Sequence, residues 1–131
     1  MLRSKPIRSS RGPQDGLRVS VMSRHTLNDG VTPDHSIKPD MFDEWWPTLA
    51  PPARLIGDYR KRGLPWSEFE ERFAAYLDSP VAGATLEVLV RLALAEDVTV
   101  LCTEPEPLQC HRRLIVGRAQ LLHPDLRVDI H

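Results

Sequence analysis

Val98-Thr-Val-Leu-Cys-Thr103 is followed by Glu104-Pro-Glu-Pro-Leu-Gln and then by Cys110-His-Arg-Arg-Leu-Ile-Val116, and this stretch decides the fold. The first six residues form a β-branched, apolar run of the kind that fills a buried central strand. The two prolines mark a tight loop. From 108 to 122 the apolar positions Leu108, Ile115, Ala119 and Leu122 recur at helical spacing, with Leu114 and Leu121 beside them. A buried strand feeding a helix through a short loop is the building unit of an α/β protein, and ligands of open α/β sheets sit outside the carboxyl ends of the strands.

Upstream, Leu17-Arg-Val-Ser-Val-Met-Ser23 alternates apolar and polar, the period of a strand. Residues 24–40 read as loop, because Asn28-Asp-Gly30 is a strong turn signal and Pro33 and Pro39 oppose regular structure. Met41-Phe-Asp-Glu-Trp-Trp46 is an aromatic cluster that forms either a short helical turn or a plug over the core. Helices are expected over 53–61, closed by Gly63, and from Ser67 onward, where Ser67 and Glu70 make a capping box ahead of Phe69, Phe73, Tyr76 and Leu77. A third helix carries Leu86, Leu89, Val90 and Leu92, and residues 126–130 read as a last strand. Residues 1–14, basic and broken by Pro and Gly, read as a flexible arm, leaving 15–131 as a single domain. Crossovers of this length favour parallel pairing. The expectation is therefore a small α/β layered sandwich, with a short, mostly parallel sheet covered by helices on both faces.

Composition narrows the function classes. The 131 residues carry 17 Lys+Arg against 18 Asp+Glu. A globally basic nucleic-acid binder is disfavoured, although a local patch is not excluded. No apolar run approaches the ~18 residues that span a bilayer, and the basic start lacks the apolar core of a secretory signal. Two cysteines in such a chain suggest a reducing cytoplasm, with thiol chemistry or burial in place of a disulfide framework.

The residues with chemical content lie at the strand–loop–helix junction. Cys110 at a helix start would have its thiolate favoured by the unpaired amides and the macrodipole, with His111 and Arg112 as cationic neighbours. In a catalytic site Cys110 would be nucleophile or redox thiol and His111 the proton carrier. Glu104 would orient the imidazole or act as base, and Cys102 would be a second thiol. Arg112 and Arg24 would clamp an anion. Plainer roles compete: Cys102 as a small core hydrophobe, His111 as a packing histidine, Glu104 as a solvated acid. The tryptophans Trp45, Trp46 and Trp66 mainly pack, or stack on a base. A phosphatase-type loop would need an arginine six positions after Cys110, and Val116 stands there. No metal centre and no cofactor are expected, because the cysteines are not spaced Cys-x-x-Cys and the other histidines are scattered.

Val100-Leu-Cys-Thr-Glu104 followed by Cys110-His-Arg112 resembles the signature of the bacterial family numbered 488 among the domains of unknown function. A looser resemblance to its YeaO-like branch covers Asp15-Gly-Leu-Arg-Val-Ser-Val21, Phe42-Asp-Glu-Trp45 and the stretch from Trp66 to Tyr76. The resemblance implies an α/β fold with a pocket where the first strand's end meets the Cys-His-Arg helix; it implies no particular reaction. Where that family carries an acid close before its arginine, this chain has Ser23-Arg24. Together the residues predict an enzyme acting on an anionic small molecule or nucleotide-like substrate. The alternatives are a non-catalytic module that binds nucleotide or nucleic-acid phosphate, and a diverged, inactive scaffold.

Overall fold

The computed structural model describes residues 1–27, 29–103 and 110–131. Its strands are β1 (Leu2–Pro6), β2 (Leu17–Ser20), β3 (Glu44–Trp45), β4 (Val98–Cys102) and β5 (Val128–Ile130). Its helices are α1 (Ala53–Lys61), α2 (Trp66–Leu77), α3 (Pro80–Ala95) and α4 (His111–Leu122), with single 3-10 turns at Pro39–Met41 and Pro47–Leu49. All strands run parallel in the order β3-β2-β4-β1-β5. The expected α/β class with a parallel sheet is thus observed. No single helix among the described residues is long and apolar enough to cross a membrane.

Two expectations are corrected. Residues 2–6 do not fray: β1 is an inner strand, with Leu2 opposite Val98 on one side and Val128 on the other. Its polar sequence hid it. Arg3 and Lys5 are satisfied by tertiary partners, Arg3 donating to Asp97 Oδ1 at 3.0 Å and Lys5 pairing with Asp15. The helices also do not cover both faces. Leu2, Val19, Val98 and Val100 share one apolar cluster with Leu55 of α1, Phe69 and Phe73 of α2, Leu86 and Leu89 of α3, and Ile115 and Val116 of α4.

The opposite face displays Arg3, Lys5, Arg18, Ser20 and Thr99, by the alternation of side chains along paired strands. A helix's apolar stripe has nothing to bury there. Loops cover it instead. Asp15 reaches under them to pair with Arg18 Nη1 at 2.7 Å, both side chains being almost wholly buried. Arg18 Nε donates to the Met41 carbonyl, and Thr99 to the Asp15 carbonyl. Among the described residues, a small second cluster of Ile7, Ile37 and Leu101, with Met22, Met41 and Phe42 against it, is apolar on this side.

Local chemistry explains the element ends. Pro80 opens α3 at a position that needs no amide donor. Gly63, at φ +73°, ends α1 in the left-handed region. Gly16 is demanded by space as well as by its φ of +61°: a Cβ there would lie 1.9 Å from the Asp97 carbonyl oxygen. The expected capping box at Ser67 is absent. α2 starts one residue earlier, after Pro65, with no side-chain cap.

Candidate functional site

The loop leaving β2 heads toward the edge strand β3, whereas the chain leaving β4 returns through α4 to β5 on the far side. Their carboxyl ends therefore part company, which is the topological switch where open α/β sheets open a crevice. The thiols and the imidazole meet there. Cys102 closes β4, Cys110 is the N-cap residue of α4, and His111 is its first helical residue. One sulfur from each cysteine and a ring nitrogen of His111 lie within 4.8 Å of one another.

A directed chain of hydrogen bonds links them. His111 Nε2 lies 2.8 Å from the Val21 carbonyl oxygen, which can only accept, so Nε2 carries the proton. Nδ1 is then an acceptor, and Cys102 donates its S–H to it across 3.5 Å. Cys110 in turn bonds to Cys102, and Arg112 Nη1 donates to Cys110 Sγ at 3.3 Å. The imidazole and the Phe73 ring meet edge to face, centroids 6.0 Å apart at 88°. The peptide leaving β2 thus fixes the ring's tautomer.

The electrostatics reverse the expectation for Cys110. Its thiol is pushed well above the usual range, first by its hydrogen bond with Cys102 and then by burial, with His111 pulling the other way. An N-cap residue with an extended backbone also lies just outside the first helical turn, and no side-chain cap bond forms. The dipole is therefore outweighed by a neighbouring thiol and by the loss of solvent. Both cysteines are thiols and each is 2% exposed.

The arginines separate. Arg112 is fully buried, and besides Cys110 it donates to the carbonyl of His131, Nη2 to oxygen at 3.0 Å. It is turned inward and braces the site against the segment that follows β5. Arg24 is exposed and lies over the turn at Asp29 and Gly30, where a Cβ on the glycine would come 2.6 Å from its Nη1. Glu104 lies outside the described residues; the helix expected from 108 starts later, at His111, after the extended backbone of Cys110.

Sequence reasoning missed two neighbours. Arg8, just past β1, donates to Thr103 Oγ1 at 2.7 Å and pairs with Asp34, so it reaches the rim of the β4 carboxyl end. His25 Nε2 is 2.7 Å from Ser20 Oγ, with the ring packed on Phe42 and Trp45; burial lowers its pKa. Nothing in the sequence marked Arg8, because the strand that precedes it was itself read as an arm. Nothing local marks the Ser20–His25 pair. Trp46 and Trp66 pack against the core as expected, whereas Trp45 is half exposed. Two shallow surface hollows, one at Trp45, Thr48 and Val88 and the other at His25, His35 and Lys38, are lined by none of the thiols.

A small parallel α/β sheet with a thiol–imidazole cluster at its switch point defines the class. Within that class, residues 2–123 match the family model described as "Active DUF488-N3 subclade", and the chain belongs to the family numbered 488 among the domains of unknown function. The match begins at Leu2, so it takes in β1. Comparison with curated proteins and with solved structures finds no match.

Proposed function

We propose that this protein is an enzyme whose reacting groups are the Cys102 thiol and the His111 imidazole, acting on an anionic small molecule or nucleotide-like substrate. One observation carries this role: His111 Nδ1 accepts from Cys102 Sγ while Nε2 is fixed on the Val21 carbonyl. Transfer of the Cys102 proton to Nδ1 leaves a thiolate free to attack an electrophilic centre. It also leaves an imidazolium whose Nε2–H is already paired with a carbonyl. Cys110 then serves as the second thiol that donates to Cys102, and Cys102 takes the nucleophile's role that the sequence gives to Cys110. The description of the matching family model as active supports catalysis over an inert scaffold. Arg8 at the rim and the amides at the start of α4 supply the attraction for an anion. A purely anion-binding module has less support, because Arg112 spends its guanidinium on Cys110 and His131.

The test is alkylation of the native protein by a small neutral electrophile in a chelating buffer, mapped by mass spectrometry. Cys102 is expected to react in the folded protein, and at least tenfold more slowly in His111→Asn. Modification only after unfolding, or a rate indifferent to His111, would overturn the catalytic role.

A further inference from the structure

We propose that Cys102, Cys110 and His111 together bind one soft divalent metal ion, zinc being the ion their chemistry fits best. The proposal goes beyond the catalytic role and does not need it. Two thiolates and one neutral imidazole form a borderline-soft donor set, and zinc accepts it in a tetrahedron with no geometric preference of its own. With Zn–S about 2.3 Å and Zn–N about 2.0–2.1 Å, the S···N edge of that tetrahedron is about 3.6 Å and the S···S edge about 3.8 Å. Cys102 Sγ and His111 Nδ1 stand 3.5 Å apart. All three donor atoms fall within 4.8 Å, so closing the cage requires shifts of about 1 Å at most.

The surroundings are those of a ligating histidine. Nδ1 faces the sulfurs as an unprotonated donor, and the remaining Nε2–H rests on a backbone carbonyl, the outer partner that orients metal-bound imidazoles. Arg112 offers an N–H to Cys110 Sγ, a bond that strengthens toward a thiolate. On binding, each thiol releases its proton to solvent and the two negative sulfurs cancel the ion's charge. Among the described residues no further Cys, His, Asp or Glu joins the cluster.

The experiment uses the full chain, reduced and stripped by a chelator, titrated anaerobically with cobalt(II) as the spectroscopic probe. One equivalent is expected to bind, giving thiolate-to-cobalt charge transfer in the near ultraviolet and the intense visible bands of a tetrahedral site, both abolished by zinc. Cys102→Ser and Cys110→Ser are each expected to lose part of the charge-transfer band. His111→Asn is expected to keep the band and bind at least tenfold more weakly, and Arg91→Ala, on the exposed side of α3, to match the wild type. Should a serine variant fail to fold, protection of both wild-type cysteines from alkylation by one equivalent of zinc replaces it. A folded, reduced wild type with no charge-transfer band, or a band unchanged in both serine variants, would overturn the site. Absent cobalt uptake with His111-dependent alkylation removes the metal and leaves the thiol–imidazole pair. Cobalt uptake with alkylation indifferent to His111 does the reverse.

Discussion

A single proton on His111 sets what its neighbours can do. With Nε2 protonated on the Val21 carbonyl, Nδ1 is bare toward the sulfurs, and both the thiolate-forming step and the metal site depend on that tautomer. Nitrogen-15 NMR of the imidazole at neutral pH in the chelated protein is expected to show a protonated Nε2 and an unprotonated Nδ1. The opposite tautomer would break both roles at once. Asp15 is the other residue whose state matters. Burial alone would raise its carboxyl pKa, but the Lys5 ammonium, the Gly12 amide and the Arg18 guanidinium outweigh it and bring it from the ordinary 3.8 to about 2. The folded carboxyl is the stronger acid, so its stabilisation is complete above pH ~4 and disappears as pH falls toward ~2, on the order of 2 kcal/mol in all. Chemical denaturation at pH 7 and pH 3 is expected to show about half of that loss, on the order of 1 kcal/mol, because the folded carboxyl is still mostly ionised at pH 3. Asp15→Asn should cost about 3 kcal/mol at pH 7, because it strands the buried Arg18 charge, and should remove Asp15's share of the acid dependence, leaving the shares of Asp43 and Asp58, whose carboxyl pKa values are also lowered.

Among the elements, β1 departs furthest from its local sequence. A basic, proline-ended pentapeptide has little strand propensity of its own. It becomes an inner strand because β4 and β5 present open ladders on either side and because Asp97 and Asp15 neutralise its two cations, with the Gln14 carbonyl accepting a further hydrogen bond from Arg3. Hydrogen exchange is expected to protect the Ser4 and Lys5 amides as strongly as those of β4, and deletion of residues 1–7 to abolish cooperative unfolding. A mere arm would be removed with little effect. Within β1, Ser4 is fully buried and its hydroxyl has no hydrogen-bond partner among the described residues. Ser4→Ala is therefore expected to raise stability by about 1 kcal/mol in urea titration, since it removes an unsatisfied polar group and leaves little void. α2 and α4, by contrast, were legible because Phe69, Phe73 and Leu77, and Ile115, Val116 and Ala119, carry the helical period themselves.

At the scale of the molecule the sheet separates two environments. All the α-helices share one apolar core, and the loops on the other face rest on a small cluster and on buried ion pairs. Leu101→Ala, in the smaller cluster, is expected to speed hydrogen exchange in residues 37–42 while leaving α2 and α4 protected; uniform loosening would show the two sides to be one cooperative unit. The period of the apolar residues, the strand-to-helix order and the crossover lengths were enough to determine the parallel α/β class and to direct attention to the Cys102–His111 junction. Those are properties of neighbours along the chain, and local sequence encodes them. The position of β1, the bare loop face, the Val21 carbonyl that orients His111 and the inward turn of Arg112 were decided only in three dimensions. Each depends on a partner far away in the sequence, and so does the grouping of Cys102 with Cys110, whose spacing argued against a shared site until a strand end and a helix start brought their sulfurs together.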